Sequence, residues 1–311
     1  MKSTHLLPSL AGLFMAVGLL WSCHDRNQGV ASLKFDTVAF EKTYYGVNES
    51  DTLGQAEYSV AVEYPVAGDT AMRRLIQQWL LVSLNAYAHV DTLPQPLATA
   101  HDVAEQWARA ARADDAPLDS LRPYAERFSS DYFDIYGRDS KEVDRWLQYE
   151  LTANMRVDAL TDRLVTYKTI VYSYLSGAHG QTFVRYANFD MQDLRLLRTE
   201  DLFVPHAADS LRPLLVEGLK AYWKEDGQPV MTTEQLDDII WDSPSQLALP
   251  ESVPGLTPQG IVFLYQSYEI AAYAAGLPVV TIPYQDLPDV LTPLGKELVQ
   301  PFVVQPSGGS R

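Results

Sequence analysis

Cysteine occurs once in the 311 residues, at Cys23. A single thiol closes no disulfide within the chain and builds no cysteine-rich zinc site, so stability has to come from a packed core. Positive charge is also scarce, with 24 Lys and Arg against 40 Asp and Glu and a formal charge of −16. Nucleic acid needs clustered cations to meet its phosphates, and this sequence has no such cluster, which excludes that partner. Long apolar runs are missing. The stretch Leu10 to Trp21 holds twelve uncharged residues, short for a bilayer span. No two of the six histidines stand four apart, so a helical metal pair is absent and no metal is expected. The G-x-S-x-G elbow, the P-loop, the Rossmann glycine pattern and H-E-x-x-H are missing too. No cofactor is called for, and the reading leans away from an enzyme.

What is present begins with an address. Lys2 and the Leu10–Trp21 stretch have the make-up of a signal peptide's charged and apolar regions. Leu20-Trp21-Ser22-Cys23 resembles the lipobox of bacterial lipoproteins, in which the chain is cut before a cysteine that carries lipid. The expectation is removal of residues 1–22, lipidation of Cys23, and a membrane anchor on the periplasmic face or outer surface of the cell envelope. Residues 23–32 form a short polar tether. Loss of Lys2 leaves 23 cations against 40 anions, a mature charge of −17.

A hydrophobic content of 47% with 21% charged residues is a globular balance, and some 290 mature residues suffice for a sizeable core. Strands are expected over Leu33–Tyr45 and Ala56–Val66, with Tyr58, Val60, Val62 and Tyr64 on one face by period-two alternation. Asp69 is placed to cap a helix from Thr70 to about His89, whose Met72, Leu75, Ile76, Trp79, Leu80, Ser83, Ala86 and Tyr87 form an apolar stripe. Helical patterns follow from about Thr99 to Asp114 and from Asp119 to Tyr136. Alternation then returns from Leu147 to Val157 and from Leu164 to Leu175 around a turn at Thr161–Arg163, which predicts an antiparallel hairpin. Ser176–Gly180 leads into a strand from Gln181 to Phe189. Asp209 is expected to cap a helix to about Glu225, and Thr233 to start another to Trp241. Short strands fall at Ile261–Tyr265 and Val279–Ile282, with a helical turn at Asp286–Leu291. The class is α+β, with antiparallel hairpins, helices packed on them and a two-part body divided at 33–149 and 150–300, followed by a tail at 301–311.

Two stretches carry a family pattern. One is Tyr172-Ser173-Tyr174-Leu175-Ser176-Gly177-Ala178-His179-Gly180, followed by Asn188-Phe189-Asp190 and Glu200-Asp201-Leu202-Phe203. The other runs from Leu256 to Tyr265, through Tyr268-Glu269-Ile270-Ala271-Ala272-Tyr273-Ala274-Ala275-Gly276, to Val280-Thr281-Ile282-Pro283-Tyr284. Together they resemble the domain-of-unknown-function 3298 family over about residues 150–295, and the upstream region resembles the 4163 domain that commonly precedes it. Ser176 stands where that family usually has a first glycine. The resemblance implies an extracytoplasmic α+β domain. One class in the family is the lysozyme-binding half of an anti-sigma factor, and another is attached to peptidoglycan deacetylases. This chain shows neither an anti-sigma segment nor a deacetylase domain, which points to a stand-alone lipoprotein that binds a cationic protein such as lysozyme, or a peptidoglycan fragment.

The candidate contact residues are His179 with Gly177 and Gly180 in the loop after the hairpin, and Tyr265, Tyr268, Glu269 and Tyr273 in the second stretch. The plainer reading of His179 is a turn residue whose ring bonds the backbone. Glu269 amid tyrosines has the setting for a raised pKa, though a backbone amide or tyrosine hydroxyl would satisfy it equally well. As an alternative, Glu269 with Asp190 or Asp201 could serve as the paired carboxylates of a glycan hydrolase. Asp190 and Asp193 suit a turn, and Asp201 a helix cap, at least as well. The 18 tyrosines and six tryptophans could form a stacking platform, while most tryptophans fall on helix stripes and are expected in the core.

Overall fold

A computed structural model describes residues 33–48, 51–88, 148–175, 178–224 and 227–303. Cys23, the tether, the helices expected near 99–114 and 119–136, Gly177, Trp107, Trp146 and the end of the tail lie outside these residues.

Six strands form one sheet in the order β1-β2-β3-β4-β5-β6: β1 (Lys34–Asn48), β2 (Asp51–Ala67), β3 (Gln148–Leu160), β4 (Leu164–Leu175), β5 (Gln181–Asp190) and β6 (Arg195–Leu196). The hairpins β1–β2 and β3–β4 are antiparallel, the second as its alternation predicts, but β2 and β3 run parallel, with Val60 opposite Ala153. Parallel neighbours need a crossover, and α1 (Thr70–Ala88) supplies its first part. The sheet therefore runs without a break past residues 149 and 150.

Asp69 caps α1 as expected, its carboxylate accepting from the Met72 N–H at 2.9 Å. Met72, Ile76, Trp79, Leu80 and Ser83 bury one stripe of the helix. They meet Tyr58, Val60 and Val62 of β2, Leu151, Ala153 and Met155 of β3, and Val165, Tyr167 and Val171 of β4. Trp79 packs at 5.8 Å on Tyr167 and 5.7 Å on Phe189, with Tyr167 and Phe189 themselves 6.2 Å apart. This is the first core, on one face of the sheet.

A second core gathers round a three-stranded antiparallel sheet of β7 (Gly255–Thr257), β8 (Gly260–Leu264) and β9 (Val279–Ile282). Two short helices, α2 (Thr199–Leu202) and α4 (Thr233–Asp237), and two longer ones, α3 (Ala207–Tyr222) and α5 (Pro293–Val303), surround it. Leu211, Leu215 and Leu219 of α3 meet Val280 of β9. Contact is so close at Gly218 that an added Cβ would run into Val280. Asp209 does not cap α3. His206 holds the N-cap, in a left-handed conformation with φ 67°, and Asp209 sits in the first turn paired with Arg212 at 3.0 Å. The turn expected at 286–291 is a 3-10 turn at Tyr284–Asp286, and α5 follows it unannounced by any pattern noted in the sequence. Trp241 is also out of place, 58% exposed rather than in the core.

A buried side chain ties the two cores together. Asn188 on β5 is fully buried, and its Oδ1 accepts from Thr166 Oγ1 at 3.0 Å and from Leu256 N at 3.1 Å. Its Nδ2 donates to Pro254 O at 2.8 Å, so β7 is bolted to the large sheet.

Candidate functional site

His179 follows β4 in the 178–180 loop and is exposed, yet its ring is not free to swing. It stacks on Tyr273 with centroids 3.8 Å apart and planes 19° from parallel. Its Nδ1 lies 3.0 Å from Gly180 O, and because a carbonyl only accepts, Nδ1 is the donor of this bond. Tyr273 Oη donates to the same carbonyl at 2.7 Å. Gly180 is not in the left-handed region. What it supplies is space, since a Cβ there would enter the Tyr172 ring.

Beyond Tyr273, at 5.8 Å, stands Tyr268, 48% exposed. Its φ is 66°, left-handed for a bulky residue. It occupies the third position of a turn closed by Glu269 N–H to Gln266 O at 3.1 Å, a place that glycine or asparagine usually takes. Several bonds hold this turn. Glu269 accepts from Gln266 N at 2.6 Å and from Glu251 N at 2.8 Å. The Gln266 side chain bonds both backbone groups of Val184, donating to its oxygen at 2.6 Å and accepting from its nitrogen at 3.3 Å. Gln266 so covers the edge of β5 beyond the reach of β6. Burial pushes the Glu269 carboxyl above the usual range, against two backbone hydrogen bonds that pull it down.

Tyr265, one strand-turn away, belongs to the core instead. It is fully buried and donates to Ala248 O at 2.8 Å. Its ring, with Ile240 and Leu247, lines a notch of about 110 Å³ that Asp242, Glu251 and Glu269 also border.

The other two carboxylates are occupied elsewhere. Asp190 is 0% exposed at the end of β5, where Arg163 grips it through Nη2 at 3.1 Å and Nε at 3.3 Å. Its Oδ1 also accepts from Gln192 N at 2.9 Å and Asp193 N at 3.3 Å, closing the turn. Asp201 accepts from Arg198 N at 2.8 Å at the start of α2 and pairs with Arg195 at 2.9 Å. The structure thus brings His179, Gly180, Tyr268 and Tyr273 together, hangs Glu269 beneath them as a brace, and places Asp190 and Asp201 in separate structural roles. Tyr172 and Gln266 were missed as site residues. Alternation along β4 could have flagged Tyr172, since it sets that ring on the face opposite Val171, whereas nothing local marks Gln266.

Among the described residues no three His, Cys, Asp or Glu side chains converge on a metal position, and no helix is long and apolar enough to cross a membrane.

No curated protein matches the chain. A crystal structure of a DUF3298 family member from Bacteroides fragilis NCTC 9343 is similar, with a TM-score of 0.61 and 20% identity over 89% of this chain and all of that one. A DUF3298 family protein from Pseudomonas aeruginosa PAO1 aligns at a TM-score of 0.47 and 15% identity, covering 84% of this chain and 96% of that one. The Bacteroides likeness shows a shared fold. Residues 200–285, which build most of the second core and carry Tyr268, Glu269 and Tyr273, match the family described as protein of unknown function (DUF3298).

Proposed function

We propose that this chain is a lipid-anchored, extracytoplasmic binding module for a cell-envelope ligand, held to the membrane through Cys23, with the ring cluster of His179, Tyr273 and Tyr268 as its contact surface. The observation that carries the reading is Tyr268. An aromatic side chain kept half exposed on a left-handed backbone costs stability, and such strain persists where the side chain is used. The ligands in view are a cationic, lysozyme-like protein or a peptidoglycan fragment. The low count of cations, 24 against 40 anions, favours the first by steering, and the aromatic cluster favours either. A glycan hydrolase through Glu269 with Asp190 or Asp201 has less support, because each of these carboxylates already accepts backbone N–H groups and Asp190 is sealed behind Arg163.

Anchoring is tested by labelling cells with a fatty-acid analogue: the native chain takes label and Cys23→Ala does not. Labelling of the variant at the native level rejects the anchor. Binding is tested with a basic lysozyme, a basic control protein of similar size, and purified peptidoglycan. The expected result is saturable binding to lysozyme or peptidoglycan that His179→Ala weakens; lysozyme binding should also weaken as salt shortens the Debye length from about 10 Å. Equal affinity for lysozyme and control, with no retention on peptidoglycan, overturns the reading.

A further inference from the structure

The ring cluster does not end at Tyr273. Along β4 the side chains of Val165, Tyr167 and Val171 enter the first core, so Tyr172 and Tyr174 stand on the opposite face of the sheet. Tyr172 lies against Gly180, whose carbonyl receives the Tyr273 hydroxyl. The rings of Tyr172, Tyr273 with His179 on it, and Tyr268 therefore follow one another from the sheet face out to the turn. Beside Tyr172 on β3 is Thr152, and beside Tyr174 is Glu150. Thr152 is exposed and donates to Glu150 at 3.3 Å. Ser59 and Glu57 continue the same rows on β2. The cations of this face sit further along the strands and are engaged: Arg156 pairs with Asp158 at 3.2 Å, and Lys168 lies 5.6 Å from the Tyr186 ring.

A row of aromatic faces bordered by hydroxyls and carboxylates, with no cation among them in the described residues, suits a ligand of flat apolar faces and hydroxyl edges. A pyranose has that form. Its axial C–H bonds carry partial positive charge toward the negative face of an aromatic ring, while its hydroxyls donate to carboxylates and exchange bonds with threonine and serine. An anionic ligand would face Glu57 and Glu150 unpaired. A cationic ligand would meet Glu57 and Glu150 beside the rings as well as Asp242 and Glu251 at the notch, so it is the run of ring faces that favours the sugar. We infer that the strip from Tyr172 through Tyr273 and His179 to Tyr268 binds an uncharged linear glycan, sugar rings stacking on Tyr172 and Tyr268 and their hydroxyls meeting Thr152 and Glu150. The inference rests on the binding-module reading and names its ligand class.

Tyr268 provides a test that separates binding from folding. Asparagine tolerates a left-handed backbone, so Tyr268→Asn removes the ring while relieving strain. Calorimetric titration of the mature chain with chitohexaose, and in parallel with cellohexaose, measures affinity; thermal melting measures stability. The expected result is saturable binding of one or both, weakened about tenfold by Tyr268→Asn and by Tyr172→Ala and retained by Tyr268→Phe, with the melting temperature of Tyr268→Asn no lower than native. Preference for chitohexaose assigns recognition to the N-acetyl groups, and equal binding assigns it to the pyranose faces. Absence of binding to both oligosaccharides, or native affinity in Tyr268→Asn and Tyr172→Ala, overturns the inference. If lysozyme binds and neither oligosaccharide does, the glycan is wrong and the binding module stands. If nothing binds, both readings fall.

Discussion

Glu269 is one carboxylate tying two loops, since its oxygens hold the amides of Gln266 and Glu251 and so fix the turn that presents Tyr268. Burial raises its folded pKa above the unfolded value of about 4.3, which means that the folded chain holds this proton more tightly. Its linkage contribution to stability is therefore fully present below about pH 4.3 and is lost as pH rises through the raised folded value. Glu269→Gln has no such proton to lose. Denaturation midpoints measured at steps from pH 4 to neutrality should fall more steeply for the native chain than for the variant, about pH 4 being the ordinary carboxylate value. A native profile no steeper than that of Glu269→Gln means that the two amides outweigh burial and the pKa is not raised.

At the scale of elements, the loop between β4 and β5 works through close approach. Its glycine at 180 is not among those with a positive φ. The constraint is the Tyr172 ring, where any Cβ would collide, and Tyr172 is carried by β4. Gly180→Val should therefore push that ring off its place and cost about 1–3 kcal/mol by overpacking. His179→Ala loses one exposed stack and one bond to Gly180, and should cost less, under about 1.5 kcal/mol. Urea denaturation of both variants checks the order. A histidine variant as unstable as the valine one makes His179 a structural residue and removes it from the contact surface.

For the whole molecule, the critical joint is between the two cores, and Asn188 carries it. Its three hydrogen bonds reach β4, Pro254 and Leu256, all of them buried. Asn188→Leu keeps the approximate volume and orphans the Thr166 hydroxyl, the Leu256 amide and the Pro254 carbonyl. At about 1–3 kcal/mol for each buried group left unpaired, the variant should lose at least about 3 kcal/mol. Beyond the loss of stability, the second core should come loose from the sheet. Hydrogen exchange should show β7 and β8 opening ahead of β2 and β3, and uniform protection across both sheets would count against Asn188 as the joint. The ring strip crosses this joint, with Tyr172 on one side and Tyr268 on the other, so the same variant should weaken any ligand that spans both.

Local pattern by itself determined the α+β class, the β3–β4 hairpin, the Asp69 cap and the buried stripe of α1, because alternation and capping are read from residues within a few positions of each other. It also put His179, Tyr268 and Tyr273 among the candidates, through a motif rather than through any visible contact. Only the tertiary structure decided that β2 and β3 pair in parallel, since their neighbours lie 93 residues apart, as Val60 and Ala153 do. It alone decided that Asp190 and Asp201 are spent on Arg163 and Arg195, and that Gln266 clasps Val184. A carboxylate's role depends on which cation the fold delivers to it, and a strand edge is covered by whatever loop passes beside it. Both are set by packing across long stretches of chain, where no local spacing carries the information.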